Sequence, residues 1–361
     1  MTTADPSASR LTVDLDALAA NYALLKAQGA AEVAPVVKAD AYGLGIEPVA
    51  RRLFAEGARR FFVARLAEGE RLRRVLKGAD TTIYVLDGCP SGAADRLKAA
   101  GLTPVLNSIE QAADWRIGGG RSAALMLDTG LNRLGLTEED ARALAADPAR
   151  LQGVEIEAVM SHLACADQPS HPMNRLQLDR FNALTALFPD ARRSLAASDG
   201  LFLGEDFALD MVRTGICLYG GGPEGRPDPR IRPVVTFEAP ILQRRDLNPG
   251  DAVGYGAAFT ADRPMQVAVA AVGYADGVLR AAFPRAYGSL AGRRLPVVGR
   301  ISMDLTLFDV TDLPDARPGA MIEIIGADVL IDDAAHAAGA IAYELLTRLG
   351  GRAQRVYKGA A

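Results

Sequence analysis

The sequence has too few cysteines, too widely spaced, to build a disulfide framework. Its three cysteines, Cys89, Cys165 and Cys217, are odd in number and form no CxxC pair. No apolar run approaches the roughly 18 residues that a membrane-spanning helix needs. The opening segment MTTADPSASRLTVDL also lacks the apolar stretch that is typical of a signal peptide. We therefore expect a reduced protein of the cytoplasm.

The chain has no excess of positive charge, and it has few histidines. The 40 lysines and arginines are outnumbered by 44 acidic residues, which excludes a general nucleic-acid binder. The three histidines, His162, His171 and His336, lack the spacing of metal ligands, so we expect no metal site. There is no P-loop, and Gly43–Pro48 (GLGIEP) fails the last position of a dinucleotide-binding fingerprint. Ala196–Gly200 (AASDG) lacks the first glycine of a nucleophile elbow.

What the sequence does contain is an alternation of short apolar runs with helical patterns over its first two-thirds. Such alternation predicts a parallel sheet with crossover helices, and about eight units favour a closed (β/α)8 barrel over an open sheet. The predicted strands lie at 32–37, 61–64, 82–86, 103–106, 123–127, 154–160, 195–197 and 211–212.

The composition changes at Gly220–Pro233, a glycine- and proline-rich segment that indicates a linker. Beyond it, the pattern favours strands at 234–242, 266–274, 295–298, 305–310 and 321–325, with one late helix over 332–349. The predicted fold class is therefore α/β, with an N-terminal (β/α)8 barrel over 1–225 and a mostly β C-terminal domain over 226–361. Residues 1–12 are left free to pack with the C-terminal domain.

Lys38 is the first candidate catalytic residue. It follows a short β-branched apolar run, so it should lie at the carboxyl rim of the barrel, where catalytic groups gather. Desolvation at such a position lowers the pKa of a lysine and prepares its amine for covalent chemistry with an aldehyde. On position alone, a solvated lysine at a strand end is the favoured interpretation, and the further segments described below overturn it.

Seven segments together resemble the alanine racemase family, which depends on pyridoxal phosphate, and the resemblance extends through nearly the whole chain. They occur in the family's order, and they are Ala34–Gly45 (APVVKADAYGLG), Asp128–Gly135 (DTGLNRLG), Met160–Asp167 (MSHLACAD), Val212–Gly220 (VRTGICLYG), Val253–Ala257 (VGYGA), Val272–Gly277 (VGYADG) and Val298–Asp304 (VGRISMD). The resemblance implies an isomerase that interconverts L-alanine and D-alanine. It also implies a barrel that holds the cofactor, and a head-to-tail homodimer in which the partner's C-terminal domain completes each active site.

The resemblance implies two bases that act on opposite faces of the substrate. Lys38 would carry pyridoxal phosphate covalently and then serve as the base on one face, and Tyr255 would serve on the other. Two bases favour racemisation, because a planar Cα that regains its proton from the same face returns the starting enantiomer. Tyrosine has a reference pKa of about 10, so neighbours must lower it if Tyr255 is to work near neutral pH.

Further cofactor-binding residues are implied in the barrel. Arg213 would be the partner of the pyridine nitrogen, and because arginine does not give up its proton, that nitrogen would stay unprotonated. His162 would lie between Arg213 and Tyr255. The phosphate would be held by the backbone of Gly215 and Ile216 and by the side chains of Tyr42 and Ser198.

Arg133 would bind the substrate carboxylate, because its guanidinium fork matches a carboxylate. Met303 and Asp304 of the partner subunit would line the pocket, and Tyr274 would lie on the path by which substrate enters. We expect a small amino acid as substrate, and neither nucleic acid nor membrane as partner.

Two departures from the family pattern carry expectations of their own. Met126 occupies a position where relatives often have a lysine whose carbamate holds the substrate-binding arginine. If Arg133 is partly buried, another anion must replace that charge, and we favour chloride over a nearby carboxylate. Gly350 lies about where a tyrosine often narrows the entrance, which predicts a wider gate and a less strict preference for alanine.

Three alternatives remain open at this point. The first is a racemase for other or broader amino-acid substrates, and the second is a barrel-type decarboxylase. The third is a non-catalytic pyridoxal-phosphate carrier, which would resemble only the N-terminal half and would lack Tyr255. An assay of D-alanine formation beside a panel of other amino acids would separate them.

Overall fold

The chain forms two compact units in the computed structural model, which describes residues 5, 7–29 and 31–360. One unit, here called the barrel unit, comprises Ala19–Leu218. The other, here called the β unit, joins the described residues up to Leu18 with Tyr219–Ala360. The N-terminal strand therefore belongs with the second half of the chain.

The first strand and the elements of the barrel unit follow in chain order. The strands are β1 (Arg10–Asp14), β2 (Val33–Pro35), β3 (Arg60–Val63), β4 (Thr82–Val85), β5 (Thr103–Leu106), β6 (Ser122–Met126), β7 (Glu155–Met160), β8 (Arg192–Ser194) and β9 (Val212–Thr214). The helices are α1 (Leu15–Lys26), α2 (Lys38–Tyr42), α3 (Ile46–Ala55), α4 (Leu66–Val75), α5 (Ala94–Ala99), α6 (Ile109–Ile117), α7 (Glu138–Ala146), α8 (Pro172–Thr185), α9 (Ser198–Leu201) and α10 (Glu205–Ala208).

Strands β2 to β9 close into a ring. Strands β3 to β8 pair in parallel in sequence order, and β2 pairs in parallel with β9. Two isolated parallel bridges, Val36 with Phe62 and Ala197 with Arg213, join these two sheets. All four residues of β5 are buried, as expected for parallel strands that are covered on both faces. The predicted fold class, an N-terminal (β/α)8 barrel followed by a mostly β domain, is confirmed.

The predicted strand at 195–197 is wrong. Strand β8 covers Arg192–Ser194, and its first two residues are exposed, so it has no apolar pattern to announce it. Leu195 and Ala196 are apolar and fully buried, but they lie beyond the strand. Only Ala197 bridges to a neighbouring strand there.

The β unit holds the remaining elements. The strands are β10 (Val235–Leu247), β11 (Ala252–Val253), β12 (Phe259–Thr260), β13 (Met265–Ala270), β14 (Tyr287–Leu290), β15 (Arg293–Pro296), β16 (Thr306–Asp309), β17 (Met321–Ile325) and β18 (Gln354–Lys358), with helices α11 (Ile331–Ala338) and α12 (Ala342–Arg348). Its main sheet has the order β15-β14-β17-β10-β1-β18, and β13 pairs with both β10 and β16. Strand β1 runs antiparallel to β10 and parallel to β18.

The predicted single helix over 332–349 is wrong, because the segment is divided into α11 and α12. Gly339 ends α11 in the left-handed conformation, with φ of 65°, as glycine commonly does at a helix C-terminus. Sequence patterns also missed β1, β11, β12, β14 and β18. None of the helices in the described ranges combines the length and the apolar character that crossing a bilayer requires.

Candidate active site

Lys38 begins a turn of unusual backbone conformation. The four residues that follow it, Ala39 to Tyr42, all have φ between 53° and 56°, so they form a left-handed helical turn without a single glycine. The turn is closed by backbone bonds from Gly43 N to Ala39 O (2.7 Å) and from Gly45 N to Asp40 O (2.8 Å). Left-handed backbone is unfavourable for residues that carry a Cβ, so tertiary contacts must impose it.

Positive charge surrounds the Lys38 amine. Burial is the largest cause that lowers the pKa of Lys38, and the positive charges of Arg133 and Arg213 lower it further. The negative charges of Glu68 and Asp87 act in the opposite direction. The balance leaves the pKa below that of an ordinary lysine. A larger fraction of the amine is therefore uncharged near neutral pH, which is the form that attacks an aldehyde.

Arg213 lies at the end of β9 and is almost completely buried, with 4% of its surface exposed. Its Nη1 donates to the carbonyl oxygen of Ser194 (2.8 Å) and to Ser194 Oγ (2.6 Å). Its Nη2 donates to the carbonyl of Ser161 and lies 3.3 Å from His162 Nδ1. Within the described part of the chain, no carboxylate pairs with it. Burial and the charge of Arg133 lower its pKa to about 10, so it stays charged at neutral pH.

His162 lies next to these cations, and its own ring is neutral. Burial lowers its pKa to about 3, and Arg213, Arg133 and Lys38 contribute in the same direction. A second cation cannot be accommodated beside the buried guanidinium. The cluster of Lys38, Arg133, Arg213 and His162 therefore attracts an anion rather than a further proton.

A cradle for an anion lies beside this cluster, at the start of the turn Ile216–Tyr219. Ser198 Oγ accepts hydrogen bonds from the backbone of Gly215 (2.9 Å) and Cys217 (3.4 Å). A Cβ on Gly215 would come within 2.2 Å of Tyr42 Oη, so only glycine lets the tyrosine approach this closely. Among the described residues, none is a hydrogen-bond partner of the buried Thr214 Oγ1. Hydroxyl groups and backbone donors gathered in this way fit a phosphate.

The loop that carries Arg133 is organised by its own backbone. Asp128 Oδ1 accepts from Gly130 N (2.9 Å) and from Asn132 N (3.1 Å), so this carboxylate is already engaged. Arg133 itself is exposed and forms no ion pair among the residues that the structure describes. The expected partial burial of Arg133 is therefore wrong for a single chain. Met126 places no charge near it, as the sequence requires.

The candidate residues of the β unit are exposed. Tyr255 has 67% of its surface exposed, Met303 has 53% and Tyr274 has 43%. Tyr274 N donates to Ser302 O (3.0 Å), and Ala275 N donates to Met303 O (3.0 Å), which brings two of the predicted segments together.

Sequence reasoning missed Arg352 and Asp276, which support these segments. Arg352 donates to both oxygens of the buried Asp276 (2.9 and 2.8 Å) and to Asp304 (2.7 Å). Gly350 N donates to Asp276 O (3.0 Å), so Gly350 lies beside the Tyr274 turn. The only available signal was Asp276, whose acidic side chain lies within the motif VGYADG.

The fold and the barrel site define a class of protein. A closed parallel barrel places a lysine of lowered pKa at the carboxyl end of β2. Beside it lie a cradle for phosphate and two arginines, Arg133 and Arg213, that pair with no carboxylate among the described residues. This arrangement suits an enzyme that holds a phosphate-bearing aldehyde on a lysine.

Comparison with known proteins makes the assignment specific. The model of the alanine racemase N-terminal domain matches residues 13–223, and that of the C-terminal domain matches residues 234–357. The chain is 48% identical to an alanine racemase of Rhizobium meliloti, over 98% of both chains. The crystal structure of alanine racemase from Bartonella henselae with covalently bound pyridoxal phosphate is 36% identical, with a TM-score of 0.91 over 98% of this chain and 100% of that one. The biosynthetic alanine racemase from Pseudomonas aeruginosa is 34% identical, with a TM-score of 0.90 over 98% and 99% of the two chains.

The chain belongs to the alanine racemase family. The family expected from the seven sequence segments is thereby confirmed.

Proposed function

We propose that this protein interconverts L-alanine and D-alanine, with pyridoxal phosphate held covalently on Lys38. The observation that carries the proposal is the lowered pKa of the Lys38 amine beside Arg133 and Arg213, in a chain whose two domains both match the family. When bound, pyridoxal phosphate supplies an electron-withdrawing ring that acidifies the Cα–H bond of an amino acid joined to it. The remaining requirements fall on the protein.

Lys38 meets the first of these requirements. Its lowered pKa favours the uncharged amine, which can first bind the cofactor and later accept or return the Cα proton on one face. The left-handed turn after Lys38 fixes the peptide from which that side chain projects.

Arg213 and the phosphate residues hold the cofactor in one orientation. Carbonyl oxygens and a serine hydroxyl hold Arg213 in place. Its guanidinium group therefore offers a positive charge at a fixed position and keeps its proton. His162 stays neutral beside it. Gly215 and Ile216, with the hydroxyl groups of Tyr42 and Ser198, bind the phosphate.

The second base is Tyr255, and its exposure supports a homodimer. Tyr255 has 67% of its surface exposed in a single chain, so a covering surface is needed to bring its hydroxyl against a bound substrate and to exclude water. We place Tyr255, Met303 and Asp304 of the partner subunit over the barrel rim, where Arg133 binds the substrate carboxylate. Tyr274 then borders the path by which substrate enters, and Gly350 widens that path.

Co-expression of two inactive variants tests the shared site. One subunit carries Lys38→Ala and the other carries Tyr255→Phe, so a mixed dimer has one site with both bases intact. Purified mixed dimers should regain part of the parental activity. Mixed dimers that stay as inactive as the Lys38→Ala and Tyr255→Phe variants would place both bases in the same subunit.

A cytoplasmic location belongs to the same proposal. Cys89, Cys165 and Cys217 form no disulfide bond within the described part of the chain, which fits a reducing compartment. Fractionation of cells that produce the protein should recover it with cytoplasmic enzymes.

The proposed function is tested by racemisation itself. L-Alanine is incubated with the holoenzyme beside serine, lysine and arginine, and both enantiomers are separated by chiral chromatography. Alanine should be racemised fastest. Faster racemisation of a larger or basic amino acid would favour the broader racemase, and protein that binds the cofactor without racemising any of these amino acids would favour the carrier.

A further inference from the structure

The carboxylate of Glu68 contacts the peptide group that follows Lys38. Glu68 lies in the first turn of α4, and its Oε1 accepts a hydrogen bond from Ala39 N at 2.7 Å. Its Oε2 accepts from Ala64 N (2.9 Å) and from Arg65 N (3.1 Å). We infer that Glu68 is a positioning residue for Lys38, an inference that rests on the proposed function of Lys38.

A role in capping α4 alone does not account for this geometry. The bonds to Ala64 N and Arg65 N use Oε2 and satisfy free donors at the start of α4, as a capping glutamate does. Oε1 instead reaches a donor that lies 29 residues away in sequence, on the strained turn. Both oxygens are therefore engaged, and one carboxylate ties the start of α4 to the Lys38 peptide.

A second residue of α4 holds the same turn. Arg71 Nη1 lies 2.8 Å from Asp40 Oδ1, and the same carboxylate oxygen accepts from Ile46 N at 2.9 Å. Helix α4 thus fixes two consecutive residues after Lys38, one through an acceptor and one through a donor. Left-handed backbone without glycine persists only where surrounding contacts impose it, and these two contacts are among those that hold the turn.

Glu68 also acts on Lys38 through its charge. Arg133 and Arg213 are the cations that face the Lys38 amine, and Glu68 and Asp87 are the anions. Removing the Glu68 charge leaves the cations less opposed, which should lower the pKa of Lys38 further. Glu68→Gln keeps the size of the side chain but replaces one acceptor oxygen with an NH2 group, so it removes the charge and weakens the contacts with the backbone donors.

The first experiment separates the two faces of the racemisation. Each base removes the Cα proton of one enantiomer, so a slower Lys38 step should raise the primary deuterium isotope effect on kcat/KM for one Cα-deuterated enantiomer. It should lower the effect for the other enantiomer, because removal of that deuteron by Tyr255 then becomes reversible before Lys38 acts. For Glu68→Gln we expect a roughly tenfold loss of kcat/KM for both enantiomers, as a small misplacement of a reacting group produces, with the isotope effects moving in opposite directions.

Glu70→Gln is the matched control. Glu70 lies on the same helix, and its carboxylate pairs with Arg96 at 2.9 and 2.8 Å rather than with the Lys38 turn. It should leave the rate and both isotope effects unchanged. Isotope effects that stay at the parental values in Glu68→Gln, or that move in the same direction for both enantiomers, would overturn the inference. If Glu68→Gln does not fold, Glu68→Asp, which keeps the charge but shortens the reach, is judged by the same criterion.

A second experiment does not depend on turnover. The pH dependence of Lys38 acetylation is followed by peptide mapping in the cofactor-free full chain. The midpoint should shift to lower pH in Glu68→Gln and stay at the parental value in Glu70→Gln. An unshifted midpoint in Glu68→Gln would contradict the inference. A chain that shows the shift but never racemises alanine would instead overturn the proposed function and leave the contact established.

Discussion

The turn after Lys38 and the turn around Tyr255 place two proposed bases by opposite means. Lys38 is followed by four left-handed residues that carry side chains and are held by α4. Tyr255 stands between two glycines, Gly254 and Gly256, with φ of 72° and 69°. The first turn is rigid because its neighbours impose it. The second has glycine at two of its three positions of positive φ, the third being Ala257 with φ of 46°, and its tyrosine is exposed.

The energetic difference between the two turns follows from their residues. Left-handed backbone costs about 1–2 kcal/mol for each residue with a Cβ and almost nothing for glycine. The Lys38 turn therefore carries this cost at four residues, whereas the Tyr255 turn carries it at Ala257 alone. The turn held by neighbouring contacts suits Lys38, which is proposed to hold a cofactor in a fixed position. The exposed turn suits Tyr255, which is proposed to act in the active site of a second subunit.

Tyr255→Phe gives the largest expected effect and tests the open side of the comparison. The ring remains but the proton-transfer group is lost, so the racemisation rate should fall by about 10²–10⁴-fold. Absorbance of bound cofactor and the melting temperature should match the parent, because Tyr255 is 67% exposed and lies outside the barrel unit. A large drop in melting temperature would mean that Tyr255 is structural, and the contrast with Lys38 would fail.

Gly215→Ala tests the crowded side of the comparison. Its Cβ would lie 2.2 Å from Tyr42 Oη, so the buried tyrosine must move. Overpacking of this kind should lower the free energy of unfolding by about 1–3 kcal/mol, and it should also weaken phosphate binding. Both effects are measurable by urea denaturation and by cofactor titration.

Gly351→Ala is the control for this substitution. Gly351 is exposed, and a Cβ there would meet nothing within 4 Å. Its effect on the free energy of unfolding should stay within about 0.5 kcal/mol. Equal effects of the two substitutions would mean that the Gly215 cradle is not tightly packed.

The neutral His162 predicts a pH dependence of stability. Burial lowers its pKa from 6.5 to about 3, so between these values the unfolded chain binds a proton that the folded chain does not. The free energy of unfolding should therefore fall as the pH falls below 6.5, by up to about 1.4 kcal/mol per pH unit.

Urea denaturation of the cofactor-free protein at a series of pH values measures this slope. His162→Gln should reduce the pH dependence of the free energy of unfolding by the contribution of one proton. His336→Gln, at an exposed position of the β unit, should leave that pH dependence unchanged. The same slope in the parent and in His162→Gln would contradict the buried neutral histidine.

Ala39→Gly gives the smallest expected effect and tests the cost of the left-handed turn. Glycine relieves the strain at φ of 53° but loses more entropy on folding, so a net gain of about 0.5–1 kcal/mol in the free energy of unfolding is expected. Ala67→Gly, in the right-handed helix α4, should instead lose about 1 kcal/mol. Substitutions that shift the melting temperature in the same direction would show that the Lys38 turn is not strained.

Much of the barrel could be predicted from the sequence, because its strands are short apolar runs covered on both faces. Lys38 could be located for the same reason, since it follows such a run directly. Strand β8 escaped because Arg192 and Arg193 are exposed, so the apolar signal belongs to the residues that follow them. The left-handed turn has no local signal, because alanine, aspartate and tyrosine ordinarily prefer other backbone conformations.

Contacts between distant residues could not be predicted from local patterns. Glu68 is recognisable as a helix-capping residue, but its bond to Ala39 N joins positions 29 residues apart. Arg352 and Asp276 are 76 residues apart, and the local sequence around one of them does not predict contact with the other. Strand β1 was missed because its partners in the sheet lie in the second half of the chain. Only the folded chain brings these groups together.

The position of β1 between β10 and β18 also decides when the β unit can be finished during synthesis. Arg10 pairs with Glu238, which lies 228 residues later in the chain. At about 5–20 residues per second, the ribosome adds that stretch in roughly 10 seconds or more. Its other neighbour, β18, emerges later still. Translation that stops before Gln354 therefore releases a chain whose first strand lacks a partner along one edge, and such an edge promotes aggregation.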